Sequence, residues 1–138
     1  GANGNTIPHF INHPLSMVGS DAVLLGDFPS PRTYGCFPTI ISEYVREEKH
    51  MSLEYAIRKI TSFPAQRLGI SDRGLIKDGF KADLTIFDLN KIKSKATKDN
   101  PKQFAEGIEY VLVNGNLVID KGKHTKTLKG QALKINSK

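Results

Sequence analysis

Asp21 and Arg32 are the two residues of this sequence whose types and surroundings best suit chemistry. Asp21 follows the short apolar run 15–18 and the pair Gly19-Ser20. An apolar run, a glycine and then a polar residue is typical of a buried parallel strand that ends in a functional loop, where α/β folds place catalytic carboxylates. Aspartates also follow strands because their side chains form turns, so this spacing alone leaves a purely structural role open.

Arg32 lies in residues 23–35, a stretch with two prolines and two glycines. These residues disfavour a continuous helix or a central strand, and we therefore predict a long ordered loop. Pro31 and Gly35 would hold this loop stiffly enough to orient the guanidinium, which suits bidentate binding of a carboxylate. An arginine that braces its own loop is equally compatible with the composition.

The histidines and the cysteine do not form a complete metal site in this sequence. His9 and His13 are four residues apart, but Pro14 argues against one continuous helix presenting both to a metal. Neither His-x-His nor His-Glu-x-x-His occurs. Cys36 precedes an amphipathic pattern, which predicts a buried small apolar residue rather than a ligand. We therefore expect no zinc site built from this chain alone.

The composition indicates a globular chain without a membrane span. Of 138 residues, 38% are apolar and 25% are charged, and no apolar run is long enough to cross a bilayer. The single cysteine cannot form an internal disulfide, which favours a reducing compartment, so we expect a cytoplasmic protein. Gly1-Ala2, without an initiator methionine, is typical of a tag remnant and indicates a piece of a longer protein.

The positive charge is concentrated at the end of the chain. Lys and Arg number 20 against 14 Asp and Glu, which gives a formal charge of +6, and residues 121–138 contain six lysines and no acid. This tail has no interleaved aromatic side chains on which bases could stack, so we expect a solvated terminus rather than nucleic-acid binding.

The first half of the sequence has the periodicity of helices. Apolar residues predict a short helix at 7–12 and a stronger amphipathic helix over 37–45. Ser52 is a suitable N-cap for the next helix, which we expect Pro64 to end.

The period changes from helix to strand after Gly69, our candidate domain boundary. Residues 83–89 form a β-rich run, and two further β-branched runs surround Asn114-Gly115. Asn-Gly between such runs predicts a hairpin, because both central residues of a type I′ turn need positive φ. The lysine-rich residues 91–103 predict a surface excursion.

Six segments carry motifs that belong together: M-V-G-S-D at 17–21, S-P-R-T-Y-G-C-F-P at 30–38, T-S-F-P-A-Q-R-L-G at 61–69, D-R-G-L-I at 72–76, G-F-K-A-D-L at 79–84 and E-G-I-E-Y-V-L-V-N-G at 106–115. Together they resemble the N-acyl-D-amino-acid deacylases of the amidohydrolase superfamily. The A-D-L and V-N-G motifs mark the superfamily broadly, whereas the first two segments are similar to the deacylase branch. Two residues depart from that pattern: Ala22 replaces a glycine, and Ser30 replaces the histidine of His-Pro-Arg.

The resemblance implies an α+β fragment of a larger enzyme. Residues 1–69 would contribute the last strand and helices of a (β/α)8 metallo-dependent hydrolase barrel, and residues 70–138 the C-terminal half of a composite β-sandwich. The resemblance also implies zinc, whose ligands would lie upstream of this chain, so we expect this chain alone to be inactive. Apolar faces and sheet edges that normally pack against the rest of such an enzyme would favour self-association.

The resemblance implies a role for both candidate residues. Asp21 corresponds to the aspartate at the end of the eighth barrel strand, which takes a proton from the metal-bound water and passes it to the departing amine nitrogen. Arg32 corresponds to the arginine that holds the free α-carboxylate of the N-acyl-amino acid. The implied substrates are small N-acyl-D-amino acids.

Two other functions stay open on the sequence alone. A cyclic-amide hydrolase of the dihydroorotase or hydantoinase type also presents a planar amide to a metal-bound water, although its substrates do not require Arg32. A structural or binding module that acts through the basic tail is the alternative without enzymatic activity.

Overall fold

The computed structural model describes residues 6–133 and has an α+β architecture in which the helices precede the strands. The helical elements are α1 (Ile7–Asn12), α2 (Arg32–Thr39), its π-helical continuation (Ile40–Glu47), α3 (Leu53–Ile60) and α4 (Ser62–Arg67). The strands are β1 (Leu84–Phe87), β2 (Ile108–Val113), β3 (Asn116–Asp120) and β4 (Lys123–His124). The predicted α+β class is therefore confirmed. Within the described residues, no helix has both the length and the apolar character needed to cross a membrane.

The break between α3 and α4 differs from the prediction. Ser52 caps α3 as expected, because its hydroxyl oxygen accepts a hydrogen bond from the Tyr55 backbone N–H at 3.2 Å. Pro64 does not end this helix, since α3 ends at Ile60 and Pro64 is the third residue of α4. Thr61, with φ −131° and ψ −90°, leaves the helical region and separates the two helices. A proline is tolerated in the first turn of a helix because the N–H groups there have no intrahelical partner.

Helix α2 begins at Arg32, so the loop predicted for residues 23–35 is wrong at its end. Pro31 precedes the helix with φ −51° and ψ −31°, and its carbonyl accepts the Gly35 N–H at 2.9 Å. A proline at the start of a helix sacrifices no hydrogen bond. Gly35 lies inside the helix, at a position where an added Cβ would come within 2.1 Å of the Ser94 hydroxyl oxygen. This glycine therefore permits close packing and does not form a turn.

Residues 15–18 do not form the predicted strand and are irregular in the structure. Leu15 is 77% exposed, and the Val18 N–H donates to the Lys59 carbonyl at 3.3 Å. A parallel strand requires a neighbouring strand, and the sheet that residues 6–133 form is antiparallel and begins only at Leu84. Residues 15–18 are held instead by contacts with α3.

The four strands form one antiparallel sheet in the order β1-β2-β3-β4. β2 and β3 make the predicted hairpin, and Asn114 (φ 49°) and Gly115 (φ 76°) have the positive φ values of a type I′ turn. Arg73, in the bend at residues 72–75 before β1, ties this bend to the hairpin. It forms an ion pair with Asp83 and donates to Asn114 Oδ1 at 2.7 Å. Asp83 Oδ1 in turn accepts the Asn114 N–H at 2.7 Å. The A-D-L and V-N-G motifs therefore serve the architecture of the sheet.

The lysine-rich stretch 91–103 is not simply a surface excursion, because Ile92 near its start is only 2% exposed. Arg46 reaches this stretch from the π-helical segment, and its Nη1 donates to the carbonyls of Leu89 at 2.9 Å and Ile92 at 2.7 Å. The prediction of a surface excursion is therefore wrong at Ile92. Residues on both sides of Gly69 are in contact, and the domain boundary there stays a prediction.

We predict that Gly107→Ala is far more destabilising than Gly79→Ala. Both glycines have φ +81°, so alanine is strained at each by about 1 kcal/mol. An added Cβ at Gly107 would lie 2.4 Å from the Ile92 backbone nitrogen, whereas nothing lies within 4 Å at Gly79. The main-chain clash should therefore lower the free energy of unfolding by about 2 kcal/mol more at Gly107, as measured by urea denaturation. Equal losses in the two variants would contradict the close packing at Ile92.

Candidate active site

The structure brings the two predicted site residues into direct contact. Arg32 Nη2 lies 2.5 Å from Asp21 Oδ2, although the residues are eleven positions apart in the chain. Their side chains are 53% and 79% exposed, so both charged groups are accessible from outside. A carboxylate and a guanidinium at this separation form one charged pair that a small anionic molecule can reach.

Arg32 is placed by the start of helix α2. The Thr33 N–H donates to the Ser30 carbonyl at 2.9 Å, which closes the first turn around Pro31. The aromatic ring of Tyr34 packs edge-on against Phe104, with 5.9 Å between the ring centroids. These contacts fix the direction in which the helix begins. The guanidinium is therefore presented by the start of a helix, not by the loop that the sequence predicts.

Asp21 has an unusual backbone conformation. Its φ is 47°, in the left-handed region that residues other than glycine seldom adopt, although aspartate tolerates it better than most. Residues held in such conformations occur often at functional sites. The conformation is compatible with a role of Asp21 in the site as well as with the turn-forming role that the sequence left open.

Lys59 on α3 is a further residue with unusual surroundings, which the sequence motifs do not indicate. It is completely buried and its ammonium group contacts residues 13–16, which lead towards Asp21. The signal in the sequence is its position: Lys59 follows the buried Ala56 by three residues and so lies near the apolar stripe of α3. A lysine at such a position is unusual, because lysine seldom occurs fully buried.

An apolar cavity of about 410 Å³ adjoins Arg32, between α1, residues 17–19 and α2. Cys36 lines this cavity and is half-buried, close to the predicted apolar role. Burial raises the pKa of the Cys36 thiol above its ordinary value, and the nearby Arg32 guanidinium opposes this rise. Because burial is the larger effect, the thiol stays protonated near neutral pH and is a poor nucleophile or metal ligand.

Residues 6–133 do not by themselves form a metal site. Among them no group of three His, Cys, Asp or Glu side chains is arranged to hold an ion. Asp21 supplies one accessible carboxylate, and stable zinc binding needs at least three protein ligands. Any metal at this site would therefore need ligands from residues other than these.

The sequence and the structure are similar to known hydrolases. Residues 2–119 match the model of the amidohydrolase family. An N-acyl-D-aspartate deacylase from Alcaligenes xylosoxydans xylosoxydans is 38% identical over 127 residues, which cover 92% of this chain and 26% of the relative. A dihydroorotase from Lactobacillus gasseri is 32% identical over 97 residues, which cover 62% of this chain and 23% of the relative.

Two solved structures share the fold of this chain. A crystal structure of D-aminoacylase matches with a TM-score of 0.87 and 31% identity, and the match covers 91% of this chain and 26% of that protein. The N-acyl-D-glutamate deacylase from Bordetella bronchiseptica, complexed with zinc and a phosphonate inhibitor, matches with a TM-score of 0.82 and 37% identity over 84% of this chain and 24% of that protein.

The chain thus spans about a quarter of the length of the deacylases that it matches. The resemblance to the N-acyl-D-amino-acid deacylases, inferred from six sequence motifs, is confirmed by these matches. Since the family model extends over residues 2–119 of 138, the chain belongs to the amidohydrolase family.

Proposed function

We propose that the whole protein containing this chain hydrolyses the amide bond of N-acyl-D-amino acids. The observation that carries this proposal is the contact between Asp21 and Arg32, 2.5 Å from carboxylate oxygen to guanidinium nitrogen. In an N-acyl-amino acid the α-carboxylate and the amide nitrogen are attached to the same carbon atom. A group that binds the carboxylate and a group that protonates the nitrogen must therefore lie side by side, as these two do.

Arg32 is proposed to bind the α-carboxylate of the substrate. A guanidinium has five N–H donors in a planar arrangement that matches a carboxylate, and the contact with Asp21 uses Nη2. The remaining donors are available for a second carboxylate. Binding of this group orients the amide bond relative to Asp21, and the location of Arg32 at the start of a helix limits its movement.

Asp21 is proposed to transfer the proton. The attacking water loses a proton to the Asp21 carboxylate as the new carbon–oxygen bond forms. The same carboxyl group then donates this proton to the amide nitrogen, the carbon–nitrogen bond breaks, and a free amino acid and a carboxylate leave. The 79% exposure of the Asp21 side chain is compatible with contact to both water and substrate.

We also propose that the rest of the protein supplies the ligands that bind zinc and the remainder of the fold. Residues 6–133 contain no ligand set of their own, and the Bordetella bronchiseptica deacylase structure contains zinc. By the same resemblance, residues 1–69 would complete a (β/α)8 barrel and residues 70–138 a β-sandwich. A cytoplasmic location is supported only by the single cysteine of the sequence.

A cyclic-amide hydrolase is the second candidate, because a dihydroorotase is among the relatives. Hydrolysis of dihydropyrimidines or hydantoins by the whole protein, without hydrolysis of N-acetyl-D-amino acids, would favour it. N-acetyl-L-amino acids should be assayed alongside to establish the stereochemical preference.

A binding role of the basic tail is tested separately by titration with nucleic acid at low salt, for which we expect no binding.

Substitutions of the two site residues should affect different kinetic constants of the whole protein. We expect Asp21→Asn to lower kcat by about 10²- to 10⁴-fold, because it removes the proton acceptor. We expect Arg32→Ala mainly to raise KM for N-acetyl-D-amino acids, by about tenfold or more, because it removes the group that binds the carboxylate. Steady-state kinetics measure both effects.

Lys102→Ala is a suitable control for these variants. Lys102 is an exposed cation whose ammonium lies 3.5 Å from an Asp27 carboxylate oxygen, in a salt bridge that does not include the site residues. Its removal should change neither constant appreciably. An unchanged KM in Arg32→Ala would refute the proposed carboxylate binding.

The purified 138-residue chain should not hydrolyse N-acetyl-D-amino acids, with or without added zinc. The reason is that its described residues provide Asp21 and Arg32 but no set of three metal ligands. Amine release assayed with a fluorogenic reagent measures this, and the whole protein serves as the positive control. Zinc-dependent turnover by the chain alone would overturn this expectation.

The purified chain should also self-associate. Large apolar side chains are exposed on the loop before α2 and beside the sheet: Leu24 (74%), Leu25 (80%), Phe28 (74%), Ile76 (92%) and Phe104 (84%). Apolar area of this kind favours association in water. Multi-angle light scattering should give a mass above 15.3 kDa that rises with concentration. A constant mass equal to the monomer at all concentrations would be inconsistent with exposed packing faces.

A further inference from the structure

Lys59 is a fully buried cation on helix α3 and has no role in the proposed reaction. Its relative exposure is 0%, as is that of Ala56 one helical turn earlier. A buried ammonium group is costly unless its donors are satisfied, so its partners indicate what the residue does. These partners are the oxygens of neutral groups in the segment that leads from α1 towards Asp21.

The ammonium group of Lys59 has three N–H donors and three acceptors. Its Nζ lies 2.7 Å from the His13 carbonyl, 3.0 Å from the Ser16 carbonyl and 2.9 Å from the Ser16 hydroxyl oxygen. The hydrogen-bonding capacity of the lysine is therefore fully used. A single side chain thus joins both ends of residues 13–16 to α3.

Two further contacts hold the same segment against α3. The carbonyl of Lys59 accepts the Val18 N–H at 3.3 Å. The Tyr55 ring lies 4.6 Å from the Lys59 ammonium, and the Tyr55 hydroxyl is 3.5 Å from the carbonyl of Asn12. Residues 12–18 are therefore fixed at several points by two side chains and one carbonyl of the same helix.

We propose that Lys59 is a positioning residue for Asp21. Asp21 follows Val18 by three residues and belongs to the same irregular segment, which has no strand pairing within residues 6–133. The hydrogen bonds to Lys59 fix where this segment runs relative to α3. This inference rests on the proposed function, because it assigns to Lys59 the placement of the proposed proton-transfer group.

The two site residues should respond differently to a change at Lys59. Asp21 depends on the segment that Lys59 holds, whereas Arg32 is the first residue of α2, whose first turn is closed by Pro31 and Ser30. Loss of the ammonium group should therefore disturb proton transfer and leave carboxylate binding largely intact. General damage to the fold would affect both.

The test compares Lys59→Met with wild type in the whole protein. Methionine keeps an unbranched side chain of similar length but cannot donate the three hydrogen bonds. We expect kcat for N-acetyl-D-amino acids to fall about tenfold or more while KM changes by less than about threefold. Arg58→Met is the matched control: this neighbouring cation on α3 is exposed and stacks on Phe63 at 4.4 Å, so both constants should stay near wild type.

Ser16→Ala tests the same contact from the other side. It keeps the ammonium group but removes the hydroxyl, which accepts from Lys59 and lies within donating distance of the Ile11 and His13 carbonyls, so we expect a smaller fall in kcat, of about threefold, again without a matching rise in KM. This variant decides the question if Lys59→Met does not fold. A KM that rises as much as kcat falls, in either variant, would overturn the positioning role.

Amide hydrogen exchange gives a readout that needs no activity. Exchange over residues 14–21, measured by mass spectrometry, should be faster in Lys59→Met and in Ser16→Ala than in wild type, and unchanged in Arg58→Met. Unchanged exchange in the first two variants would overturn the positioning of this segment. A wild-type protein that does not hydrolyse N-acyl-D-amino acids would refute the proposed function, and the exchange data would still decide whether Lys59 holds the segment.

Discussion

The main chain of residues 89–94 packs directly against the helices, and the position of the candidate site relative to the sheet depends on this contact. Arg46 donates to the carbonyls of Leu89 and Ile92, so these partly buried acceptors are satisfied by a charged donor. Gly35 lets the backbone of α2 approach Ser94 more closely than any side chain would permit. Because Arg32 begins the same helix, the guanidinium is anchored by a stretch that is distant in sequence.

Local backbone conformation was predictable from the sequence where a few neighbouring residues determine it. Ser52 caps its helix because a hydroxyl followed by N–H donors two and three residues later suffices. Asn114-Gly115 forms the hairpin turn because both positions need positive φ, which few other residues tolerate. The choice of Asp21 and Arg32 as site residues rested on the family resemblance, since their individual settings allowed structural roles as well, and their direct contact was not predicted.

The errors lie where distant contacts decide the structure. Residues 15–18 have the composition of a buried strand, yet a strand depends on a neighbour that no local pattern reveals. Residues 91–103 are rich in lysine, and this hides the burial of Ile92 beneath Arg46 and Gly107. Lys59 could be recognised as unusual by its place on α3, but its partners lie more than forty positions earlier in the chain.

The family motifs divide into those that build the fold and those that contain the two candidate site residues. Asp83 and Asn114 are polar residues that would suit catalysis, yet Arg73 binds both of them at the base of the hairpin. Lys59 shows a different asymmetry, because it binds the main-chain carbonyl of His13 and not the imidazole. Every amino acid carries that carbonyl, so position 13 can vary in evolution without breaking the contact, whereas position 59 must keep a long cationic side chain. This hydrogen bond therefore constrains the side chain at position 59 and not the side chain at position 13.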